Sequence, residues 1–321
     1  QPRKADMQRQ QPAPLTQRNM LANHKQNSIP KAPWQRKMVN KEITGGKFIS
    51  EQPAGEYVSY VRSGDAYAYT MFGPMYTTLT GGLGDVVFGA DNKVYIRNII
   101  SQAPLEYSAW IEGKLDGSTI TFEMPSKIAD YSYYELYAAL MTYDEANQTY
   151  VYNPEMTSFT LSYDAATRAI TTPEGSPLTD GNVIVGLIWG DDESWIGSGD
   201  WNMSFEVMND KPVSVPADLK TEEYAVTAED FPGCLAQVGF DGNDVYVQGF
   251  YPNMPDAWIK GTINGDKVTF PNGQYIGGDK VLGYHQYLMG GGVEEVYDPD
   301  WDETYEDYTL TGEDIVFDYD A

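Results

Sequence analysis

Cysteine and histidine are nearly missing from this 321-residue chain. Cys234 is the only cysteine, so no intrachain disulfide can form and a disulfide scaffold is excluded. Two histidines, His24 and His285, are too few for a zinc site built from several His and Cys ligands. A Ser-His-Asp triad could draw only on His285, and no serine lies in a nucleophile-elbow sequence. The longest apolar run, Val183–Trp189, falls far below the ~20 residues of a membrane-spanning helix. Gly290-Gly291-Gly292 lacks the Lys-Ser/Thr pair that a phosphate-binding loop requires.

Positive charge is scarce outside the first 47 residues. That segment carries ten Lys and Arg against Asp6 and Glu42, leaving eleven basic and 45 acidic side chains for everything else. So acidic a body repels phosphate backbones, which argues against nucleic-acid binding. It suits divalent cations, neutral polysaccharide or a basic partner. Residues 1–47, rich in Gln, Asn, Pro, Lys and Arg, bury too little apolar surface to offset the entropy of ordering and read as a disordered basic tail. The chain opens on Gln1 rather than Met, and a removed signal peptide is expected.

What the chain does contain is a repeat. Ala109–Phe122 (AWIEGKLDGSTITF) returns as Ala257–Phe270 (AWIKGTINGDKVTF), and Val94-Tyr95-Ile96 upstream is matched by Val245-Tyr246-Val247. Self-similarity at this distance signals a duplicated domain. Short segments rich in Tyr, Val, Thr, Ile and Phe, cut by Gly, Asp and Asn, predict two antiparallel all-β domains over 48–210 and 222–321, joined by a proline-stiffened linker at 211–221. A sandwich or a lipocalin-like barrel would satisfy the pattern. Glu56–Arg62 and Ala66–Thr70 read as a hairpin about Ser63-Gly64-Asp65. Asp116-Gly117 and Asn264-Gly265 read as type I′ hairpin turns. Further strands are expected at Tyr133–Met141, Tyr150–Tyr152, Ser158–Ser162, Ala169–Thr172, Val183–Trp189 and Trp201–Val207.

Near the end of the chain, Tyr308–Thr311 aligns with Phe159–Ser162 and Ile315–Phe317 with Ile170–Thr172. On that alignment the second copy lacks counterparts of Val183–Val207. An open sheet edge at Ile315, Val316 and Phe317 is then expected to recruit a partner strand or to drive self-association.

Two groups of residues are candidates for binding. Trp110 and Trp258 occupy equivalent places on the polar side of their strands, suited either to stacking on a sugar ring or to filling the same core position twice. Asp298, Asp300 and Asp302 alternate as oxygen ligands of Ca²⁺ do, although Glu303 and Thr309 depart from the EF-hand pattern; a solvated acidic loop is the alternative.

Ile43–Gly64, with Glu51-Gln52-Pro53-Ala54-Gly55-Glu56, together with Arg62–Tyr67, Val94–Ile96, Ile99–Ser101 and Pro271–Tyr275, resembles exported tandem-repeat proteins of gut Bacteroidetes. That resemblance implies export, an all-β fold and a cell-surface, periplasmic or extracellular location, and it carries no catalytic residue. The expected function is a non-catalytic binding module for carbohydrate or protein. A hydrolase working through a carboxylate pair and a structural surface component are the alternatives.

Overall fold

The computed structural model describes residues 47–321 apart from 71–72, 102–108, 132–133, 148, 229–230, 300–301 and 320–321. These residues form two compact units, divided between Met208 and Asn209. Among them all regular structure is strand.

The first unit runs β1 (Glu56–Thr70), β2 (Gly73–Phe88), β3 (Lys93–Arg97), β4 (Trp110–Asp116), β5 (Thr119–Glu123), β6 (Ser126–Tyr131), β7 (Tyr134–Asp144), β8 (Thr149–Tyr152), β9 (Ser158–Tyr163), β10 (Ile170–Thr171), β11 (Val183–Trp189) and β12 (Trp195–Val207). Pairing passes β1-β2-β3-β4-β5-β9-β10-β12, and β12 returns to β1. Of the two expected architectures this is the barrel: eight strands close and leave no edge among themselves. Alternate residues point inward and fill it, with Tyr60, Ile96, Ile111, Ile120, Phe122, Leu161, Ile170, Met203 and Phe205 all buried. The rings of Phe122 and Phe159 stack at 5.1 Å.

Residues 63–65 do not make the expected hairpin turn. Instead, β1 continues as one strand of fifteen residues, with register shifts toward both β2 and β12 at this point. Gly64 takes φ +142° there, and a Cβ would lie 2.8 Å from the Asn202 carbonyl oxygen, so the bulge requires glycine. Beyond it β1 and β12 leave the barrel and pair on toward β11 and β7. Both faces of β11 are buried. Val183, Val185 and Leu187 join the barrel core, whereas Ile184 and Ile188 join a second core with Tyr67, Tyr137, Tyr150, Trp195 and Trp201. This explains why Val183–Trp189 is apolar without alternation.

The second unit runs β13 (Thr221–Ala228), β14 (Phe231–Asp241), β15 (Asp244–Gln248), β16 (Trp258–Asn264), β17 (Lys267–Phe270), β18 (Gln274–Asp279), β19 (Tyr284–Leu288), β20 (Gly291–Asp298), β21 (Glu303–Leu310) and β22 (Ile315–Asp318). Its sheet follows the order β13-β14-β15-β16-β17-β22, while β18–β19 and β20–β21 are hairpins. The segment before the sheet is tied to the second unit: Tyr287 donates to Asp210, and the Leu219 side chain covers Gly239.

The registers of the two units agree residue for residue. Val94 faces Gly113 as Val245 faces Gly261, and Arg97 faces Trp110 as Gln248 faces Trp258. The repeated Trp-Ile-x-Gly frame has a packing reason. A Cβ on Gly113 would come 2.5 Å from the Phe122 ring, and one on Gly261 would come 2.9 Å from the Phe270 ring, so each glycine makes room for the phenylalanine of the next strand. The turns at Asp116-Gly117 and Asn264-Gly265 also match, with φ +59° and +69° at the glycines. Ser118 and Asp266 lack positive φ, however, and glycine alone in that region is the type II′ pattern rather than type I′.

The final strands correct the sequence alignment. Tyr308–Thr311 does not correspond to β9, because β21 pairs with β20 alone among the described residues. It is β22 that takes the place of β9. Phe159 and Leu161 face Phe122 and Ile120, and Ile315 and Phe317 face Phe270 and Val268. The Tyr163 N–H donates to the Ser118 carbonyl at 2.7 Å, and the Tyr319 N–H to the equivalent Asp266 carbonyl at 2.8 Å. Tyr163 meets Phe88 with ring centroids 5.6 Å apart, and Tyr319 meets Phe240 at the same 5.6 Å. The second unit therefore supplies six strands of the eight, and counterparts of β10 and β12 are absent from the described residues.

Candidate functional site

Six strands curl without closing, and their inner face lines a cavity of about 380 Å³. Val238, Val245, Val247, Ile259, Val268, Phe270, Ile315 and Phe317 form its walls. Tyr224 and Tyr319 meet Phe240 at 5.9 and 5.6 Å and mark one end. Burial, and then the neighbouring Tyr319, raise the Tyr224 phenol above its ordinary pKa. Cys234 also lines the trough, half-buried, and the only carboxylate among the lining residues is Asp318.

The trough occupies the space that the first unit fills from β10 and β12. Register places Tyr60 opposite Gly84 and Arg62 opposite Gly82, and in the second unit Tyr224 opposite Ala236 and Val226 opposite Cys234. Tyr224 thus matches Tyr60, while Val226 stands where the first unit has Arg62. Arg62 needs a partner from β12: its Nη2 donates to Asp200 Oδ1 at 2.7 Å and to the Ile99 carbonyl at 2.8 Å. Asp200 also accepts from Ser101 Oγ at 2.5 Å and Ser101 N at 3.0 Å. Both ionic side chains are buried, and desolvation raises the Asp200 carboxyl above the ordinary carboxylate pKa despite the opposing effect of Arg62. Among the described residues the second unit has no counterpart of Asp200, and valine replaces the arginine.

Trp110, Trp258, Asp298 and Asp302, singled out in the sequence, do not line this trough. Trp110 is only 3% exposed, and its strand start is held by the Ile49 and Ile128 carbonyls, so it offers no open ring face for a sugar. Trp258 is half-buried, beside a clasp in which the Gln274 side chain bonds both the N–H and the carbonyl of Lys260. Asp298 ends β20, Asp300 lies outside the described residues, and exposed Asp302 accepts from the Tyr297 hydroxyl at 2.8 Å. Among the described residues no three His, Cys, Asp or Glu side chains gather as metal ligands. His285 shares a 2.8 Å hydrogen bond through Nδ1 with the Tyr275 hydroxyl on the β18–β19 hairpin.

Ile315, Val316 and Phe317 do lie at the end of their sheet, as expected. Ile315 and Phe317 face the trough, and Val316 is 55% exposed on the outer side. No protein-family model, curated protein or solved structure matches the chain.

Proposed function

We propose that this chain is an exported, non-catalytic binding module whose ligand enters the open trough of the second unit. The observation that carries the reading is the contrast between the two copies: the same strands enclose a filled core in one, and in the other, among the described residues, they line an apolar cavity of about 380 Å³ beside a smaller core that takes in Ile276 and Leu288. Concave apolar surfaces with a few polar groups at the rim are where proteins take ligands. A protein ligand suits this lining better than carbohydrate, because sugar hydroxyls need several polar partners and the walls supply almost none. A hydrolase would need two carboxylates in the site, and the trough lining includes one, Asp318. Exposed apolar side chains support a protein ligand as well. Of the thirteen large hydrophobic residues that stand exposed among the described residues, ten belong to the second unit, among them Leu235, Val281, Leu282, Val293 and Val316.

Nile red, a neutral dye that fluoresces in apolar surroundings, tests the site. The protein should enhance its emission, and Cys234→Arg, which places a charge at the trough wall, should remove most of the enhancement. Equal emission from both proteins, or a glycan ligand whose binding survives Cys234→Arg, would contradict the reading.

A further inference from the structure

The preceding reading locates the site; the edges of the half-barrel specify what it takes. In the first unit β9 continues the sheet through β10, pairing Tyr163 with Ile170 and Ser162 with Thr171, and β12 closes onto β1. In the second unit, among the described residues, β22 pairs only with β17 and β13 only with β14. Residues of an antiparallel pair alternate between those that exchange both hydrogen bonds and those that exchange none. The bond from Tyr319 to Asp266 fixes the phase, so Ile315, Phe317 and Tyr319 bond toward β17. The N–H and C=O groups of Val316 and Asp318 therefore point to the open edge.

Differences between the copies describe the guest. Where β12 presents Asp200 to Arg62, the second unit has Val226, so the guest carries no carboxylate there. Where Gly84 admits the Phe205 ring, to which a Cβ would come within 3.0 Å, the second unit has Ala236, so the guest carries a narrower side chain. Charge describes its outer face. Residues 209–321 hold 23 acidic and five basic side chains. Glu222 and Glu223 are exposed on β13, and Glu313 and Asp314 lead into β22.

We propose that the trough binds an extended strand of another protein, with aliphatic side chains facing inward and Lys or Arg facing outward at alternate positions, which pairs antiparallel with the Val316–Asp318 edge of β22. Main-chain bonds supply the affinity, and the alternating side chains supply the specificity.

The probe is the capped peptide Lys-Ile-Lys-Val-Lys-Leu-Lys, titrated into the full chain. It should bind, slow the amide exchange of Val316 and Asp318, and bind at least tenfold more tightly than its Glu-for-Lys analogue at low salt. Cys234→Arg should abolish binding. Val316→Pro removes an N–H that bonds nothing within the sheet, and it should weaken the peptide at least tenfold while leaving Nile red uptake intact. Binding of decanoate but not of the peptide, or peptide binding without amide protection, would overturn the strand proposal and leave the trough as a binding site. Concentration-dependent dimers with Val316 and Asp318 already protected would overturn it in favour of a second copy. Failure of dye, decanoate and peptide together would reject the binding site itself.

Discussion

Above pH 10 the first unit should lose stability steeply and unfold before pH 12. Three tyrosines that are at most 2% exposed cause this: Tyr60, Tyr137 and Tyr150. Burial raises all three phenols above their ordinary value, and Tyr137, also bonded to Glu135, is pushed up to about 12. Their hydroxyls donate to the Arg168 carbonyl, Glu135 Oε2 and the Gly181 carbonyl at 2.7–2.9 Å, which ties each to the protonated form. The sign follows from proton counting. Folded pKa values above the unfolded value of ~10 mean that the stabilisation is complete below pH 10 and is lost as pH rises. Each such phenol removes up to ~1.4 kcal/mol per pH unit, so three remove up to about 4 kcal/mol per unit. Two such units remove up to about 8 kcal/mol, comparable to the ~5–15 kcal/mol by which a domain is stable. Absorbance at 295 nm should therefore show the exposed tyrosines ionising near pH 10, followed by a cooperative step that coincides with loss of near-ultraviolet circular dichroism. Smooth ionisation of every tyrosine near pH 10, with the fold retained, would contradict this account.

Asp200→Leu should cost the first unit about 3–5 kcal/mol, because it strands a buried guanidinium. Arg62 Nε and Nη1 have no hydrogen-bond partner among the described residues, so Asp200, the Ile99 carbonyl and the Phe205 ring face 5.6 Å away compensate that charge. Arg62→Val should cost less at pH 5 than at pH 8. The Asp200 carboxyl, already raised by burial, then loses its cation and takes up a proton more readily in the folded state, so stability falls as pH rises. The double variant should recover most of the loss, since the second unit shows that valine suits this position in the same fold. Scanning calorimetry of the four proteins measures the coupling. Additive losses in the double variant would mean that the pair is not the unit of stability described above.

The local parts of this fold were legible in the sequence, and the distant ones were not. The repeat, the turn glycines Gly117 and Gly265, and most strands follow from patterns within a dozen residues. The bulge at Gly64 looks like a turn in the sequence because Ser-Gly-Asp serves either purpose, and only pairing with Asn202 and its neighbours decides. Closure of the barrel depends on β1 meeting β12, joined by an ion pair whose members are 138 residues apart. The terminal alignment failed because Tyr308–Thr311 has the same alternation as Phe159–Ser162; the Tyr163 and Tyr319 bonds separate them. The trough arises where the described residues supply no counterparts of β10 and β12, which no local motif records. A signal did exist further along the repeat, in Arg62 matched by Val226 and Gly84 by Ala236. Both changes remove a dependence on β12.

Among the described residues the second copy is open where the first is closed, and backbone amide exchange resolved by residue tests this most directly. Val316 and Asp318 should exchange nearly as fast as an unfolded chain, whereas Phe317 and Tyr319, bonded toward β17, should be protected. Ser162, the counterpart of Asp318 that β10 covers in the first unit, should be protected as well. Equal protection of Ser162, Val316 and Asp318 in the isolated protein would contradict the open edge.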